Sequence, residues 1–551
     1  MITIGTIVIM MIICFMGIHT SNEIYADNEI YADNENKIKT QFPISYTGIQ
    51  RNSENFGDII IKGVYSGLPS GIEAQFNSGK WEVIDQNPSD GKFSGKLLMQ
   101  KVGQGDLIIR FTNDISIQNT LNYISIGDIF LLAGQSNAHG DADNLQKVES
   151  TNEFLTTVFY GLSTKNKHYE TSEIKAGGDY VKRYEWHNGP YEEHSPWPIV
   201  SNLITESENI PLSFIQTSRG GGEIGWWEKG LGYNYEEITH SVSKATNGTM
   251  SVKAILFFQG ESNAMGEYYE WPLDRYNNYK IHLKNLIHNL LEDIDVKKFV
   301  LGQTGEIIQA PDVMDGISGV RKIQQELWNN ENIIQGPITY DIGPLIDNLH
   351  FTTDKEIHEI ANRWGISILK GVYGYEIPLN PELLDANLDN SKKKIILIFD
   401  KNIKLENWLK EEGQELKGLE IEDGENHLNY TNYRVEISNN EIYIILDQTI
   451  SNYASISYAN DGSSTGEYNI RETSSNSLPA KPFFQVILYY DQLKTQDWTL
   501  PKPNQQIKDG IPNSHVTCNE VLTRVFLNQD SVACVTHDTK QKLLERMKTI
   551  D

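Results

Sequence analysis

Cysteine is nearly absent, with three in 551 residues. Cys14 sits in an apolar N-terminal run without the small-residue context of a lipoprotein site, which leaves Cys518 and Cys534. A metal centre there would need further ligands, and none cluster beside them. Positive charge is also scarce. Against 74 acidic residues stand 47 basic ones, for a formal net charge of −27. A field of that sign repels a phosphate backbone and argues against nucleic acid as a partner. The basic segment that ordinarily precedes the apolar region of a signal peptide is missing, and so is the extended apolar lid that a lipase or thioesterase would want.

At 62.6 kDa the chain exceeds one ordinary domain, and length predicts three to four. With 39% hydrophobic and 10% aromatic residues it can bury a large core. The uncharged run Ile7–Met16 has the length of a secretory apolar region, and Ile24-Tyr25-Ala26 ends on a small residue suited to cleavage. Residues 1–26 therefore read as a signal peptide, with an uncleaved membrane anchor as the alternative; either way the bulk of the chain is exported to the cell surface or beyond. The hexapeptide Asn22–Asp27 recurs at Asn28–Asp33. That duplication is too short for a solenoid and falls in a leader, residues 27–39, expected to be disordered. In an exported chain Cys518 and Cys534 favour one disulfide, worth roughly 3 kcal/mol in the chain-entropy model.

From 40 to 123 short alternating runs such as Asp58–Tyr65, Lys80–Ile84 and Asp106–Phe111, punctuated by Gly, Pro, Asn and Asp, predict a β-sandwich. From 124 to 374 apolar strands alternate with helical stripes, which implies α/β architecture with a parallel sheet between helices. Its strands are expected at Asp128–Ala133, Leu212–Gln216, Ala254–Phe258, Lys298–Gly302 and Ile338–Ile342. Tyr276, Tyr279, Leu283, Leu286, Ile287 and Leu290 form one helical stripe, and Ile357, Ile360, Ala361, Trp364 and Leu369 another. Alternation returns in 390–490 as a second β domain. Residues 491–551 read as a Pro- and Gln-rich linker with a small two-cysteine tail ending in a helix through Leu543, Leu544 and Met547.

Gly134-Gln135-Ser136-Asn137-Ala138 follows directly on Ile129–Ala133. A polar loop launched from a buried strand is where a sheet-based hydrolase presents a serine nucleophile, although a tight turn with an exposed serine would look the same. Asp347-Asn348-Leu349-His350 adds a base and an orienting carboxylate, three residues apart, so that one turn delivers both. That spacing suits the compact SGNH plan better than an α/β-hydrolase. Two segments offer oxyanion donors. Ser218–Trp227 is a Gly-rich loop without the Lys and Ser/Thr of a P-loop. Gln259-Gly260-Glu261-Ser262-Asn263 follows a strand and brings the Gln259 amide, while Glu261 reads equally well as a structural ion-pair partner.

The ordered set GQSN, RGGGxIxxW, QGES and DxxHF resembles the sialate O-acetylesterases and the related acetylxylan esterases of carbohydrate esterase family six. Arg321-Lys322-Ile323-Gln324, read as the start of a helix, and Ser475–Phe483 are similar to that family too. The resemblance spans about residues 40–485. It implies an SGNH-type three-layer α/β/α domain flanked by β-sandwich-like domains, with Ser136 as nucleophile, His350 as base and Asp347 as its acid. It further implies an oxyanion hole from the Ser136 and Gly221 N–H groups and the Gln259 side chain. Asn137, Glu261 and His139 are supporting candidates, and Trp226 and Trp227 are candidates for the sugar platform. Departures stand at Ala138, where Met is common, and at Ser262-Asn263, where Ser-Asp is common. The implied activity is removal of O-acetyl groups from a glycan, which requires neither metal nor organic cofactor. The alternatives are a silent carbohydrate-binding protein on the same fold, or an SGNH lipase or thioesterase.

Overall fold

A computed structural model describes residues 36–139, 154–160, 180–182, 195–230, 233–265, 275–305, 314–343, 345, 349–406, 416–423, 428–429, 433–450, 453–460, 468–489, 523–528 and 531–535. The hexapeptide repeat, Asp347 and Cys518 lie outside them, whereas the end of the leader expected to be disordered is ordered, because Ile38 is buried in a strand that starts at Lys37. The chain divides into two units, Met1–Ile377 and Pro378–Asp551.

The first unit begins with β1 (Lys37–Phe42), β2 (Gly48–Gln50), β3 (Phe56–Ser66), β4 (Ile72–Phe76), β5 (Glu82–Asp85), β6 (Lys92–Lys101) and β7 (Gly103–Phe111). In β3 the side chains of Ile59 and Ile61 are buried while Asp58 and Lys62 face water, the period-two signature of a half-buried strand. β1, β3 and β6 form one sheet, and its Ile59, Ile61 and Leu97 pack on Ile72, Ala74, Leu107 and Ile109 of a second.

That second sheet continues into the next region through β8 (Gln118–Gly134), whose first half pairs with β7. From Ile124 onward every residue of β8 is buried, because the strand there has both faces covered. The boundary expected between residues 123 and 124 therefore falls inside one continuous strand. What changes at that point is burial on one side to burial on two.

β8 is followed by α1 (Ser136–His139), β9 (Thr157–Tyr160), β10 (Tyr180–Lys182), α2 (Trp197–Glu208), β11 (Leu212–Gln216), α3 (Tyr233–Ala245), β12 (Ala254–Phe258), α4 (Glu261–Met265), α5 (Arg275–Asp293), β13 (Phe299–Gln303), α6 (Met314–Leu327), β14 (Ile333–Ile338) and α7 (Asp354–Gly371). The strand order is β10-β9-β11-β8-β12-β13-β14, parallel except for β10. Ile129, Leu131 and Ala133 of β8 join a core with α3, α5 and α6 on one face. Phe130 and Leu132 join a core with α2 and α7 on the other. β8 lies between β11 and β12, so the loops leaving all three carboxyl ends converge where the strand order reverses.

Two expectations need correction. The last parallel strand is Ile333–Ile338, not Ile338–Ile342: beyond Pro337 the chain turns, with Ile342 N bonded to Thr339 O at 3.1 Å. Arg321 lies in the middle of α6 and does not begin it. In the second unit, β15 (Leu383–Leu388), β16 (Lys394–Phe399), β20 (Tyr433–Ser438) and β21 (Glu441–Leu446) form one sheet, and β18 (Leu419–Asp423), β19 (Leu428–Asn429), β22 (Tyr453–Tyr458) and β24 (Phe483–Tyr489) another. β17 (Ile403–Leu405) pairs with β23 (Ile470–Glu472), and β25 (Thr523–Asn528) with β26 (Ser531–Val535), which carries Cys534. The helix expected at Leu543–Met547 lies outside the described residues. Among those residues no helix is long and apolar enough to cross a membrane.

Where β8 enters the parallel sheet, Asp128 is buried beneath four partners. Its carboxylate accepts from Arg51 Nε and Nη2 at 3.0 and 2.8 Å, from Gln50 Nε2 at 2.8 Å and from Tyr373 Oη at 2.8 Å, and Lys253 Nζ lies 3.7 Å away. Burial works against the charged form. The Arg51 hydrogen bonds and the charges of Lys253 and Arg51 nonetheless hold the Asp128 carboxyl below its ordinary value of 3.8. Asp128→Asn should destabilise the fold at neutral pH by about 3–5 kcal/mol, as when one partner of a buried pair is removed. A depressed pKa stabilises the fold fully above the unfolded value and progressively less as pH falls through the folded one. Urea unfolding of both proteins should therefore show their difference shrinking as pH drops below 3.8. A constant difference would mean that shape, not charge, supplies the effect.

Candidate active site

β8 and β12 meet so closely at their carboxyl ends that Gly134 faces Phe258. Gly134 has φ +130°, and a Cβ there would stand 2.0 Å from the Phe258 carbonyl oxygen. Only glycine fits. Gln135 N then donates to that carbonyl at 2.9 Å. The Gln135 side chain spans to the next loop: Oε1 accepts from the N–H groups of Gly260 and Ser262 at 3.0 and 3.3 Å, and Nε2 donates to Ser262 Oγ at 2.7 Å. Ser136 starts α1, which is tied down from the other side by Trp197 Nε1 donating to Ala138 O at 2.7 Å.

Ser136 Oγ lies 2.8 Å from His350 Nε2. The segment carrying His350 is held at both ends. Upstream, Asp341 pairs with fully buried Arg363 of α7, with Nη1 and Nη2 at 2.5 and 2.8 Å from its two oxygens. Downstream, Thr353 caps α7 with Glu356 in a reciprocal capping box. Phe351 is buried against Phe258, with ring centroids 6.4 Å apart. Asn137 connects this segment to the nucleophile turn: its Nδ2 donates to Leu349 O at 3.1 Å and its Oδ1 accepts from Phe351 N at 3.3 Å. His139, adjacent in sequence, is not the residue on Ser136; its backbone carbonyl accepts from Gln216 Nε2 at 3.4 Å.

The Gly-rich loop leaves β11 and approaches the serine, since a Cβ on Gly220 would stand 3.8 Å from Ser136 Cβ. Arg219 N bonds Gly134 O at 2.7 Å, which fixes the loop's start. The N–H groups of Ser136, Gly220 and Gly221 donate to nothing among the described residues. Gln259 does not fill the role expected of it. Its side chain is fully buried, and its Nε2 already donates to Gly222 O at 3.2 Å and to Asn263 Oδ1 at 2.6 Å. With both N–H bonds committed, Gln259 braces the loop and offers no free donor. Asn263 Oδ1 also accepts from Ile224 N at 2.9 Å, so at this position an acceptor suffices and Asn serves where Asp is common.

Trp226 and Trp227 part company. Trp227 is fully buried against Phe257, with centroids 6.0 Å apart at 82°, and belongs to the core, not to a sugar platform. Trp226 is 41% exposed on the same 3₁₀ turn, Ile224–Trp227. Glu261 is buried and accepts from Asn137 Nδ2 at 3.0 Å. Burial raises the pKa of its carboxyl, against the opposing pull of the Asn137 hydrogen bond, its own and the Gly260 backbone N–H groups, and the His350 charge. The structure thus joins Ser136, His350, Asn137 and Glu261, while Asp347 lies outside the described residues. Sequence reasoning missed Gln135, although it sits inside the GQSN motif, and the Asp341–Arg363 anchor, whose members are 22 residues apart and carry no local signal.

Residues 126–365 match the family model described as carbohydrate esterase, sialic acid-specific acetylesterase. Over these residues the chain is similar to the carbohydrate acetylesterases. A carbohydrate acetylesterase from Xanthomonas citri shares its fold with a TM-score of 0.57 at 16% identity, covering 81% of this chain and 99% of that one. NanS superposes at 12% identity and TM-score 0.32, covering 44% of this chain and 96% of its own. A variant of Axe2, an acetyl xylan esterase from Geobacillus stearothermophilus, does so at 11% identity and TM-score 0.28, covering 46% and 98%. A search among curated proteins returns no match. The chain is a carboxylic ester hydrolase. In this region the two tryptophans should separate on substitution: Trp227→Ala should cost about 3–5 kcal/mol of stability. Trp226→Ala should stay within about 0.5 kcal/mol of the parent. Equal losses on urea unfolding would return both residues to one role.

Proposed function

We propose that the protein is an exported serine O-acetylesterase acting on acetylated glycans through an acetyl-serine intermediate. The contact of Ser136 Oγ with His350 Nε2 at 2.8 Å carries this reading. With its proton on Nδ1, the imidazole accepts the hydroxyl proton as Ser136 attacks the acetyl carbonyl. The negative charge that forms on the carbonyl oxygen is met by the uncommitted N–H groups of Ser136, Gly220 and Gly221. As the tetrahedral adduct collapses, His350 returns the proton to the sugar oxygen, the C–O bond breaks and acetyl stays on Ser136. Water, deprotonated by His350, attacks that ester; acetate leaves and Ser136 Oγ regains the proton. Asp347 fits the task of holding the imidazole tautomer, being three residues from the base. The apolar run Ile7–Met16 supports export. Trp226, on the rim of the loop beside Ser136, suits stacking against a pyranose ring.

Ser136→Ala should reduce acetyl release from acetylated oligosaccharides by several orders of magnitude, leaving about 10³–10⁴ over the uncatalysed rate. Near-parental turnover by the folded variant would sink the assignment. Asp347→Asn should lower kcat by about 10⁴ if that carboxylate sets the tautomer. A loss under about tenfold would assign the tautomer to another group. Trp226→Ala should raise KM for an acetylated oligosaccharide roughly 3- to 10-fold and leave KM for 4-nitrophenyl acetate unchanged. Parallel changes on both esters would exclude a sugar contact.

A further inference from the structure

The nucleophile and the base come from segments more than 200 residues apart in sequence, and the 2.8 Å between them leaves little tolerance. One side chain reaches both. Asn137 is the residue after Ser136, and its amide bonds the main chain on each side of His350, at Leu349 O and Phe351 N. Its second N–H goes to Glu261 Oε1 at 3.0 Å. Glu261 is buried at the start of α4, and among the described residues Asn137 is the side chain that donates to its carboxylate, Oε2 having no partner at full hydrogen-bond geometry. In the opposite amide orientation Asn137 would face Leu349 O and Glu261 Oε1 with an acceptor and the Phe351 N–H with a donor. Each of the three bonds therefore selects the same orientation.

We propose that Asn137 and Glu261 form a positioning pair for the esterase reaction. Glu261 locks the Asn137 amide, and the locked amide sets the backbone around His350 at the distance Ser136 requires. Neither group touches the reacting atoms. The inference rests on the esterase reading above. Glu261 Oε1 accepts whether or not the carboxyl is ionised.

Reversed polarity tests the pair. Asn137→Asp confronts Glu261 Oε1 and Leu349 O with an acceptor and should lower kcat on 4-nitrophenyl acetate by about 10²–10³, with KM within about twofold. Adding Glu261→Gln supplies an N–H toward Asp at 137 and should recover at least about tenfold in kcat, whereas Glu261→Gln alone should lower it. Independent losses that multiply in the double variant, or a change confined to KM, would overturn the pairing. If Asn137→Asp fails to fold by circular dichroism, the cycle is run with Asn137→Ser and Glu261→Leu. There the double variant should lose no more kcat than the worse single variant, and multiplied losses would again overturn it. The parent enzyme and Ser136→Ala are assayed in parallel. An inactive parent would defeat the esterase reading itself, whereas an active parent with uncoupled variants defeats only the positioning pair.

Discussion

The close approach of two strand ends, Gly134 against the Phe258 carbonyl, is the constraint from which the site follows. No side chain fits between them, so β8 and β12 end side by side and their following loops start within hydrogen-bonding reach of each other. Gln135 then binds Phe258 O, Gly260 N and Ser262 across that gap. Ser136 is thereby carried out of the sheet, and Glu261 is placed beneath the residue that follows it. Arg219 N, bonded to Gly134 O, draws the Gly-rich loop to the same point from the opposite side. Three loops from three neighbouring strands are registered by one glycine and one glutamine.

Beneath these loops lies a buried polar layer. Gln324 uses its whole amide: Oε1 accepts from Thr304 N and Oγ1 at 3.0 and 3.1 Å, and Nε2 donates to Gln259 O and Tyr279 Oη at 2.7 and 3.0 Å. Arg321, also buried, donates to Thr304 O and Gly305 O at 3.1 and 2.6 Å. An apolar layer of equal volume would tolerate sliding. Directional bonds with each partner satisfied admit one arrangement, so the floor under Gln259 is rigid. Glu261 Oε2 and Gln259 Oε1, in the loop that follows β12, are among the buried side-chain atoms that find no hydrogen-bond partner among the described residues.

The chain's own pattern announced much of this architecture. Leu212–Gln216 and Ala254–Phe258 are strands at the residues where mainly apolar runs placed them, because a parallel strand covered on both faces needs such a run. The helical stripe Tyr279, Leu283, Leu286, Ile287, Leu290 is buried along its length, since spacing alone puts those residues on one face of α5. Ser136 and His350 were legible as residue types that acyl transfer needs, each after an apolar run. The turn at Thr339–Ile342 misled because Ile, Tyr and Ile there look like a strand. They are buried in fact, but Ile338 ends β14 while Tyr340 and Ile342 lie beyond the sheet.

Local information ends where a side chain has one identity and two plausible surroundings. Trp226 and Trp227 are the same residue in adjacent positions; a 3₁₀ turn rotates one into the core and the other into water, and only the packing of Phe257 decides which. Gln259 carries a donor in any reading, but whether that donor is free depends on Asn263 and on the Gly222 carbonyl reaching it, both products of the folded loop. Composition and periodicity settled which segments are buried, because burial is a property of each segment's own hydrophobic pattern. The 2.8 Å between Ser136 and His350, and the Asn137 amide that spans their segments, were set by tertiary structure. Hydrogen-bond geometry between distant segments is a property of the pair and is written in neither segment alone.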